Sequence, residues 1–246
     1  MRLKVLGSGS LGNCYLLENA SECLVLEAGI NFKEVLKALN FNITKVVGCL
    51  VTHEHKDHSK YVREFIKNGI CVYMSKGTVS ALNLNSHYIN YVKRNEYFKV
   101  GNFKIIPFNT KHDAAEPLGY YINHKETGNI LFATDTYYIL NKFKDLNNIL
   151  IECNYSGKIL EKNIQNGSVP IHLKERIIRS HMEFETCEKC LRENDLRQTN
   201  NVVLIHLSDN NSDAKMFRRE IQNILPYVNV AVAEKGLNIE FNKYRF

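Results

Sequence analysis

The sequence feature that most constrains this chain is the hexapeptide HEHKDH at residues 53–58, which brings three histidines and Asp57 together. It directly follows an apolar run at residues 46–51 that is typical of a buried strand. Imidazole nitrogens and carboxylate oxygens are the ligands that a divalent cation such as Zn²⁺ takes from proteins. A loop that leaves a buried strand can aim alternate side chains at one point. The hexapeptide therefore predicts a metal site at the end of a strand rather than a solvated polar loop.

The spacing within the hexapeptide divides its donors into two sets. His53 and His55 are alternate residues and would face one ion. Asp57 and His58 precede an amphipathic segment at residues 59–66, so they would lie at a helix N-terminus and face a second ion. The motif thus predicts two neighbouring metal positions.

The His-x-His-x-Asp-His form of this motif marks the metallo-β-lactamase superfamily, and the chain resembles that superfamily along essentially its whole length. Stretches at residues 9–18, 111–120 and 204–208 are similar to its bacterial WalJ/YycJ branch. The resemblance implies an α/β fold, the four-layer αβ/βα sandwich. In that fold two mixed sheets pack face to face with helices outside and a dinuclear site at one edge.

The resemblance also implies the rest of the ligand set. It makes His112 the third ligand of the first ion, His206 the partner of Asp57 and His58, and Asp135 a carboxylate that bridges both ions. On its own, a lone histidine such as His112 after a strand would more often be unremarkable. The expected ligands are His53, His55, Asp57, His58, His112, Asp135 and His206. The expected cofactors are two divalent ions, zinc or manganese. The other histidines, His87, His124 and His172, have no partners at ligand spacing and are expected to be surface or structural residues.

A Gly/Ser-rich turn at residues 7–13 exposes backbone N–H groups that can approach a phosphate, although its spacing alone favours a simple β-turn. Related sequences place this loop beside the active site, which makes Ser10 and Asn13 candidate substrate contacts. Ser208, shortly after the last predicted ligand, is a third candidate.

His181 is a further candidate because it lies near Arg176 and Arg179 and outside the expected metal shell. Such a histidine could steady a scissile phosphate or protonate the leaving oxygen. The alternative is a plain helix-capping histidine. We predict that Asp57 and His181 are the catalytic side chains, with Asp57 orienting or deprotonating the attacking water while it is also bound to metal.

Two stretches depart from the superfamily pattern. Residues 27–29 read Glu-Ala-Gly where Asp-x-Gly is usual, so Glu27 is expected to orient the ligand histidines from behind rather than to bind metal. Tyr155 and Ser156 replace further polar residues that related sequences carry after Glu-x-Asn, so no role is carried over to that corner.

The remaining segments predict a strand–helix alternation that gives way to hairpins. Hairpins are expected around residues 101–102 and 125–128. Helices are expected at residues 31–41, 76–84, 156–165, 171–179 and 214–225. The seven cysteines are an odd number spread over a long chain, and several lie in apolar runs, so we expect free thiols. The pair Cys187 and Cys190 has the spacing of a metal knuckle but no second pair, which favours an ordinary helix.

At 246 residues the chain is long enough for one well-buried core, and we expect a single metallo-β-lactamase-fold domain over residues 1–246. The net charge of +6 tilts the surface towards polyanions, which favours a nucleic acid or nucleotide substrate. No apolar run is long enough for a membrane span and the N-terminal residues do not resemble a signal peptide, so we expect a cytoplasmic protein without membrane partners.

The resemblance implies a metal-dependent phosphodiesterase whose nucleophile is a metal-bridging water, and more narrowly a 5′ to 3′ DNA exonuclease. A hydrolase of a small or cyclic nucleotide phosphodiester is the alternative, because the chain offers no long basic arm or aromatic strip for a nucleic-acid track. A catalytically silent metal-binding module is a third hypothesis, which the complete set of ligand positions disfavours.

Overall fold

The computed structural model describes residues 1–244 of the chain, in which strands and helices alternate. The strands are β1 (Arg2–Gly7), β2 (Cys14–Glu18), β3 (Cys23–Leu26), β4 (Val46–Leu50), β5 (Val72–Met74), β6 (Ile89–Tyr91), β7 (Phe98–Val100), β8 (Phe103–Asn109), β9 (Leu118–His124), β10 (Gly128–Ala133), β11 (Leu146–Glu152), β12 (Asn201–Ile205), β13 (Asn229–Val232) and β14 (Asn238–Glu240). The helices are α1 (Phe32–Ala38), α2 (Lys56–Ser59), α3 (Val62–Lys67), α4 (Lys76–Ala81), α5 (Gly157–Gln165), α6 (Ile171–Ser180), α7 (Phe184–Glu193) and α8 (Ala214–Ile224).

The strands form two seven-stranded mixed sheets, one in the order β14-β1-β2-β3-β4-β5-β6 and the other in the order β13-β12-β11-β10-β9-β8-β7. In the first sheet, β14 to β3 are antiparallel neighbours and β3 to β6 are parallel. In the second, β7 to β10 are antiparallel and β10 to β13 are parallel. In each sheet the parallel strands end at one common edge, where the segments that carry the predicted ligands begin.

The two sheets pack face to face because their strands are apolar on both sides. Along β2, Leu17 belongs to the core between the sheets, whereas Leu16 belongs to a second core beneath α1 and α3. Along β12, Val203 and Leu204 divide in the same way between the central core and a third core beneath α7 and α8. Strands buried on both faces read as continuous apolar runs rather than alternating ones. The expected four-layer sandwich is confirmed.

The predicted helices are present, and their ends lie within three residues of the predicted ones. Helix α1 begins after Asn31, whose side chain accepts a hydrogen bond from the backbone N–H of Lys33, and it ends before Asn40 and Phe41, which have φ angles of 50° and 61°. The cysteines are free, and Cys187 and Cys190 are buried side chains of α7, as the ordinary-helix interpretation requires. Among residues 1–244, no helix is both long and apolar enough to cross a membrane.

Candidate metal centre

The structure brings the seven predicted ligand residues together at the sheet edge, in two groups. His53, His55 and His112 form the first group, in which His55 Nδ1 lies 3.0 Å from His112 Nε2. Asp57, His58, Asp135 and His206 form the second group. Within each group the potential ligand atoms lie within 4.8 Å of one another.

Asp135 belongs to the second group and also faces the first. Its Oδ2 is 2.5 Å from His58 Nε2 and 3.8 Å from His53 Nε2, and its Oδ1 is 3.1 Å from His206 Nδ1. The side chain is buried, yet neither oxygen has a hydrogen bond of good geometry. Buried carboxylates without donors are costly, and a bound cation is one of the few arrangements that compensates them.

Unpaired nitrogens point to the same conclusion. His53 Nδ1 is hydrogen-bonded to the Thr52 hydroxyl at 2.9 Å, which leaves His53 Nε2 buried and without a partner beside Asp135. In metal-ligating histidines one ring nitrogen is usually hydrogen-bonded to the protein, and the other is left to bind the metal. The histidine and aspartate clusters are therefore suitable for metal binding.

The electrostatics of the cluster suit cation binding. Burial lowers the pKa of His53 well below its ordinary value, and the His58 ring acts in the same direction. His53 is therefore a neutral imidazole with a lone pair to offer. Burial disfavours the charged form of Asp135, but the rings of His206 and His58 outweigh it and hold the pKa of Asp135 well below its usual range. Asp135 is thus an ionised carboxylate at the centre of the cluster.

Glu152 is the residue of this site that sequence reasoning missed. It is fully buried at the end of β11, and its Oε1 lies 2.8 Å from His181 Nδ1 and 3.1 Å from His206 Nδ1. Its Oε2 accepts hydrogen bonds from the backbone N–H groups of Thr136 and Met182. Unlike Asp135, this carboxylate is fully partnered by the protein. Glu152 thus holds the rings of His181 and His206 in place. The sequence feature that could have indicated this role is a carboxylate at the end of an apolar strand, at the same sheet edge as the ligands.

Glu152→Gln is expected to weaken metal binding and slow hydrolysis by roughly 10- to 100-fold, the usual effect of removing a group that orients a ligand histidine. The glutamine amide replaces one acceptor oxygen with an N–H donor. This donor would face the N–H groups that now donate to Glu152, so those hydrogen bonds are lost. Metal titration and hydrolysis rates would measure the change. The matched control is Glu22→Gln, because Glu22 is also a buried carboxylate beside a histidine, His124, at 3.1 Å, but lies at the opposite end of the sandwich. Equal losses of metal affinity in both variants would show general destabilisation instead.

His181 lies at the mouth of the site, with one quarter of its side chain exposed. Its Nδ1 contacts Glu152, so the other ring nitrogen remains for a cavity of about 220 Å³ that His181 lines together with His206. Burial opposes a charge on His181, but the Glu152 and Asp135 carboxylates outweigh burial and raise its pKa to about 10. Because His181 Nδ1 is also 3.1 Å from Asp135, this ring lies closer to the ligands than the sequence suggested.

Of the three other predicted substrate contacts, two line the cavity and one is buried. Ser10 and Ser208 line the same cavity as His181. Asn13 is fully buried, where its amide lies 3.3 Å from Asp57 Oδ2 and 3.1 Å from His58 Nε2, and its carbonyl accepts a hydrogen bond from the backbone of Gly9. Asn13 therefore holds the glycine-rich turn against the ligand loop, with its side chain buried between them.

The ligand loop is docked on the Glu-Ala-Gly segment. The backbone N–H of Ala28 donates to the His58 carbonyl at 2.8 Å, and Glu27 Oε1 lies 3.6 Å from His58 Nδ1, behind the ring as expected. A Cβ at Gly29 would clash with the backbone carbonyl of Asp57, which explains the glycine. Burial raises the pKa of Glu27, although the His58 ring opposes this.

Three residues that follow strands at this edge have left-handed backbone conformations. The φ angles are 69° at Glu27, 46° at Asp135 and 55° at His206. Such angles are uncommon for residues other than glycine and concentrate at functional sites. They turn each side chain out of its strand direction and towards the cluster.

A two-sheet sandwich with histidines and aspartates clustered at its strand ends defines a hydrolase of the metallo-β-lactamase type. The model for the beta-lactamase superfamily domain matches residues 25–207, and the chain belongs to that superfamily. Among named relatives, it is 27% identical to the exodeoxyribonuclease YycJ of Bacillus anthracis over 95% of this chain and 92% of the relative. It is 28% identical to the exodeoxyribonuclease WalJ of Streptococcus pneumoniae over 99% of this chain and 93% of the relative.

Solved structures agree on the fold. The metallo-β-lactamase fold protein YhfI from Bacillus subtilis superimposes with a TM-score of 0.72 at 15% identity, covering 97% of this chain and 99% of that one. A diphosphatase from the PhnP family gives a TM-score of 0.69 at 16% identity, covering 100% and 99%. Family, fold and site together identify the chain as a metal-dependent hydrolase.

Proposed function

We propose that this hydrolase is a two-metal phosphodiesterase that acts on DNA as a 5′ to 3′ exonuclease. The observation that carries the two-metal part is Asp135, a buried and ionised carboxylate. Its Oδ2 lies near His53 of the first group and His58 of the second, its Oδ1 faces His206, and neither oxygen has a hydrogen bond of good geometry. One ion would be held by His53, His55 and His112, the other by Asp57, His58 and His206, with Asp135 shared. Zinc and manganese both accept such nitrogen and oxygen donors.

When bound, two divalent ions would lower the pKa of a water molecule and neutralise charge on a phosphate group. The side chains of the chain supply the rest. Hydrolysis forms a bond from water oxygen to phosphorus and breaks the bond to the leaving oxygen, which must then take a proton. Asp57 accepts or orients the proton of the attacking water. His181, held through Nδ1 by Glu152, presents its other nitrogen to the cavity and donates the proton to the leaving oxygen.

The names of the relatives support DNA as the substrate, since both are called exodeoxyribonucleases. The cavity beside His181 adds hydroxyl groups from Ser10 and Ser208 that can contact a phosphate or sugar. The net charge of +6 suits a polyanionic substrate.

The test is an assay of the purified protein with Mn²⁺ or Zn²⁺ on linear DNA labelled at either end, and on cyclic mononucleotides. Attack from the 5′ end releases the 5′ label at once as a mononucleotide, whereas DNA labelled at the 3′ end shortens progressively. The reverse pattern would overturn the direction. Hydrolysis of cyclic nucleotides alone would favour the small phosphodiester, and metal binding without any hydrolysis would favour a silent module.

A further inference from the structure

A segment of two helices lies beside the mouth of the metal centre. We call residues 156–180, which comprise α5, the connecting turn and α6, the helical arm. It joins β11, which ends at Glu152, to the segment that carries His181. Its buried apolar residues, Leu160 and Val169, pack in a small cluster with Tyr155 that is separate from the cores of the sandwich. Most of the arm is therefore surface.

The helical arm is fixed on two sides of the site. On one side, Asn163 Nδ2 donates to the carbonyl oxygen of Asn210, in the loop that follows His206. On the other, the carbonyl oxygen of Ser180 accepts a hydrogen bond from His112 Nδ1 at 2.8 Å. Ile177 lines the cavity beside His181. The arm thus extends from the second group of donors to the first, in a fixed position above the cavity.

The arm concentrates the positive charge of the chain. It carries five basic residues against two glutamates, a net +3, whereas the whole chain carries +6. The basic residues are Lys158, Lys162, Lys174, Arg176 and Arg179. Half of the net charge thus lies on 25 of the 246 residues. Lys158 and Lys162 are exposed and make no ion pair with any side chain of residues 1–244.

Apolar side chains lie among these charges on α6. Ile171 is 66% exposed and Ile178 is 43% exposed, and neither is covered by another element of the described chain. A polynucleotide alternates charged phosphates with apolar sugar and base surfaces, so it matches a surface that mixes lysine or arginine with aliphatic groups. The chemistry of the arm therefore favours a nucleic-acid strand over a small anion.

We propose that the helical arm is the element that binds a single-stranded DNA end beyond the phosphate being cleaved, an inference that rests on the proposed function. Lys158, Lys162 and Arg179 contact phosphates, while the exposed isoleucines contact sugar and base. The small cavity then selects the phosphodiester, and the arm selects a polymer over a mononucleotide.

The test neutralises three arm charges in one full-length variant, Lys158→Gln/Lys162→Gln/Arg179→Gln. Its matched control is Lys99→Gln/Lys104→Gln/Lys125→Gln, which removes three exposed lysines from strands and turns at the opposite end of the sandwich. Binding of a fluorescent single-stranded 12-mer is measured by anisotropy in the Asp57→Ala background, so that cleavage does not interfere. Counterion release predicts roughly 10- to 100-fold weaker binding at physiological salt and a salt slope about 2 units shallower for the arm variant. The control should bind like its parent.

Rates on DNA and on bis(4-nitrophenyl) phosphate give a second readout. The ratio of the DNA rate to the small-diester rate should fall with the arm variant and hold with the control. Unchanged DNA binding in the arm variant would overturn the proposal for the arm, whether or not DNA is cleaved. DNA that binds through the arm but is never hydrolysed would overturn the proposed exonuclease function and leave the arm proposal standing.

Discussion

Replacement of Asp57 by alanine is expected to abolish phosphodiester hydrolysis while leaving the fold intact. Asp57 Oδ2 lies 3.1 Å from His58 Nε2 and 3.2 Å from His206 Nε2, so it completes the second group of donors. Burial disfavours the charged form of Asp57, but hydrogen bonds with His206 and His58 outweigh it and hold its pKa well below the usual range. The substitution therefore removes an ionised donor and the group that orients water. We expect a fall of more than roughly 10³-fold, larger than the loss of one positioned hydrogen-bond donor.

Hydrolysis rate, metal content and the midpoint of thermal unfolding together check this result. The side chain is partly exposed in a surface crevice, so its removal opens no core cavity and the fold should survive. Asp195→Ala, which removes a partly exposed aspartate remote from the cluster and paired with Arg197, should behave like the parent. Retained hydrolysis with a full metal complement in Asp57→Ala would remove Asp57 from the mechanism.

His181→Ala should keep its metal content while hydrolysis of DNA falls by roughly 10²- to 10⁴-fold, the usual contribution of a positioned acid–base group. The structural reason is that His181 contacts Glu152 on one side and the cavity on the other. His87→Ala, at a histidine whose ring lies against Tyr88 away from the cluster, is the control.

The leaving group separates acid catalysis from phosphate binding. A nitrophenyl phosphodiester has a leaving group that hardly needs a proton, so the loss caused by His181→Ala should shrink on that substrate. Equal losses on both substrates would indicate phosphate binding instead. Loss of metal from the variant would indicate that His181 is itself a ligand. Its position allows this, because His181 Nδ1 lies only 3.1 Å from Asp135. An unchanged rate on every substrate would reduce His181 to a helix-end residue.

The layered fold could be predicted from the sequence because the pattern of apolar residues that produces it is local. Strands β2 and β12 each have four consecutive apolar residues, at 14–17 and 202–205, which indicates burial on both faces, and helices with one apolar stripe supply the outer layers. The donors of the hexapeptide could be predicted equally well, because all four lie within six residues and so must lie close together in space. His112, Asp135 and His206 lie far apart in the chain, and only resemblance assigned them to one site.

What the sequence could not supply was the partner of each polar group. Nothing in the order of residues shows that Glu152 has four hydrogen-bond donors while neither oxygen of Asp135 has a hydrogen bond of good geometry. That difference depends on the register of β11 against its neighbours and on the turn at residues 134–136. For the same reason the sequence did not show that packing of the glycine-rich turn on the ligand loop buries the amide of Asn13.

The left-handed backbone at the strand ends narrows the evolutionary choices open to this site. Asp and His are among the few non-glycine residues that adopt such angles readily, so at Asp135 and His206 the backbone and the metal chemistry favour the same residue types. Glutamate or a β-branched residue at either position would raise the conformational energy of the backbone, whatever its properties as a metal ligand. Glu27 is different, because its φ angle of 69° would suit an aspartate better than the glutamate that the chain has there. Drift towards another ligand set would therefore require the backbone of the turns to change first.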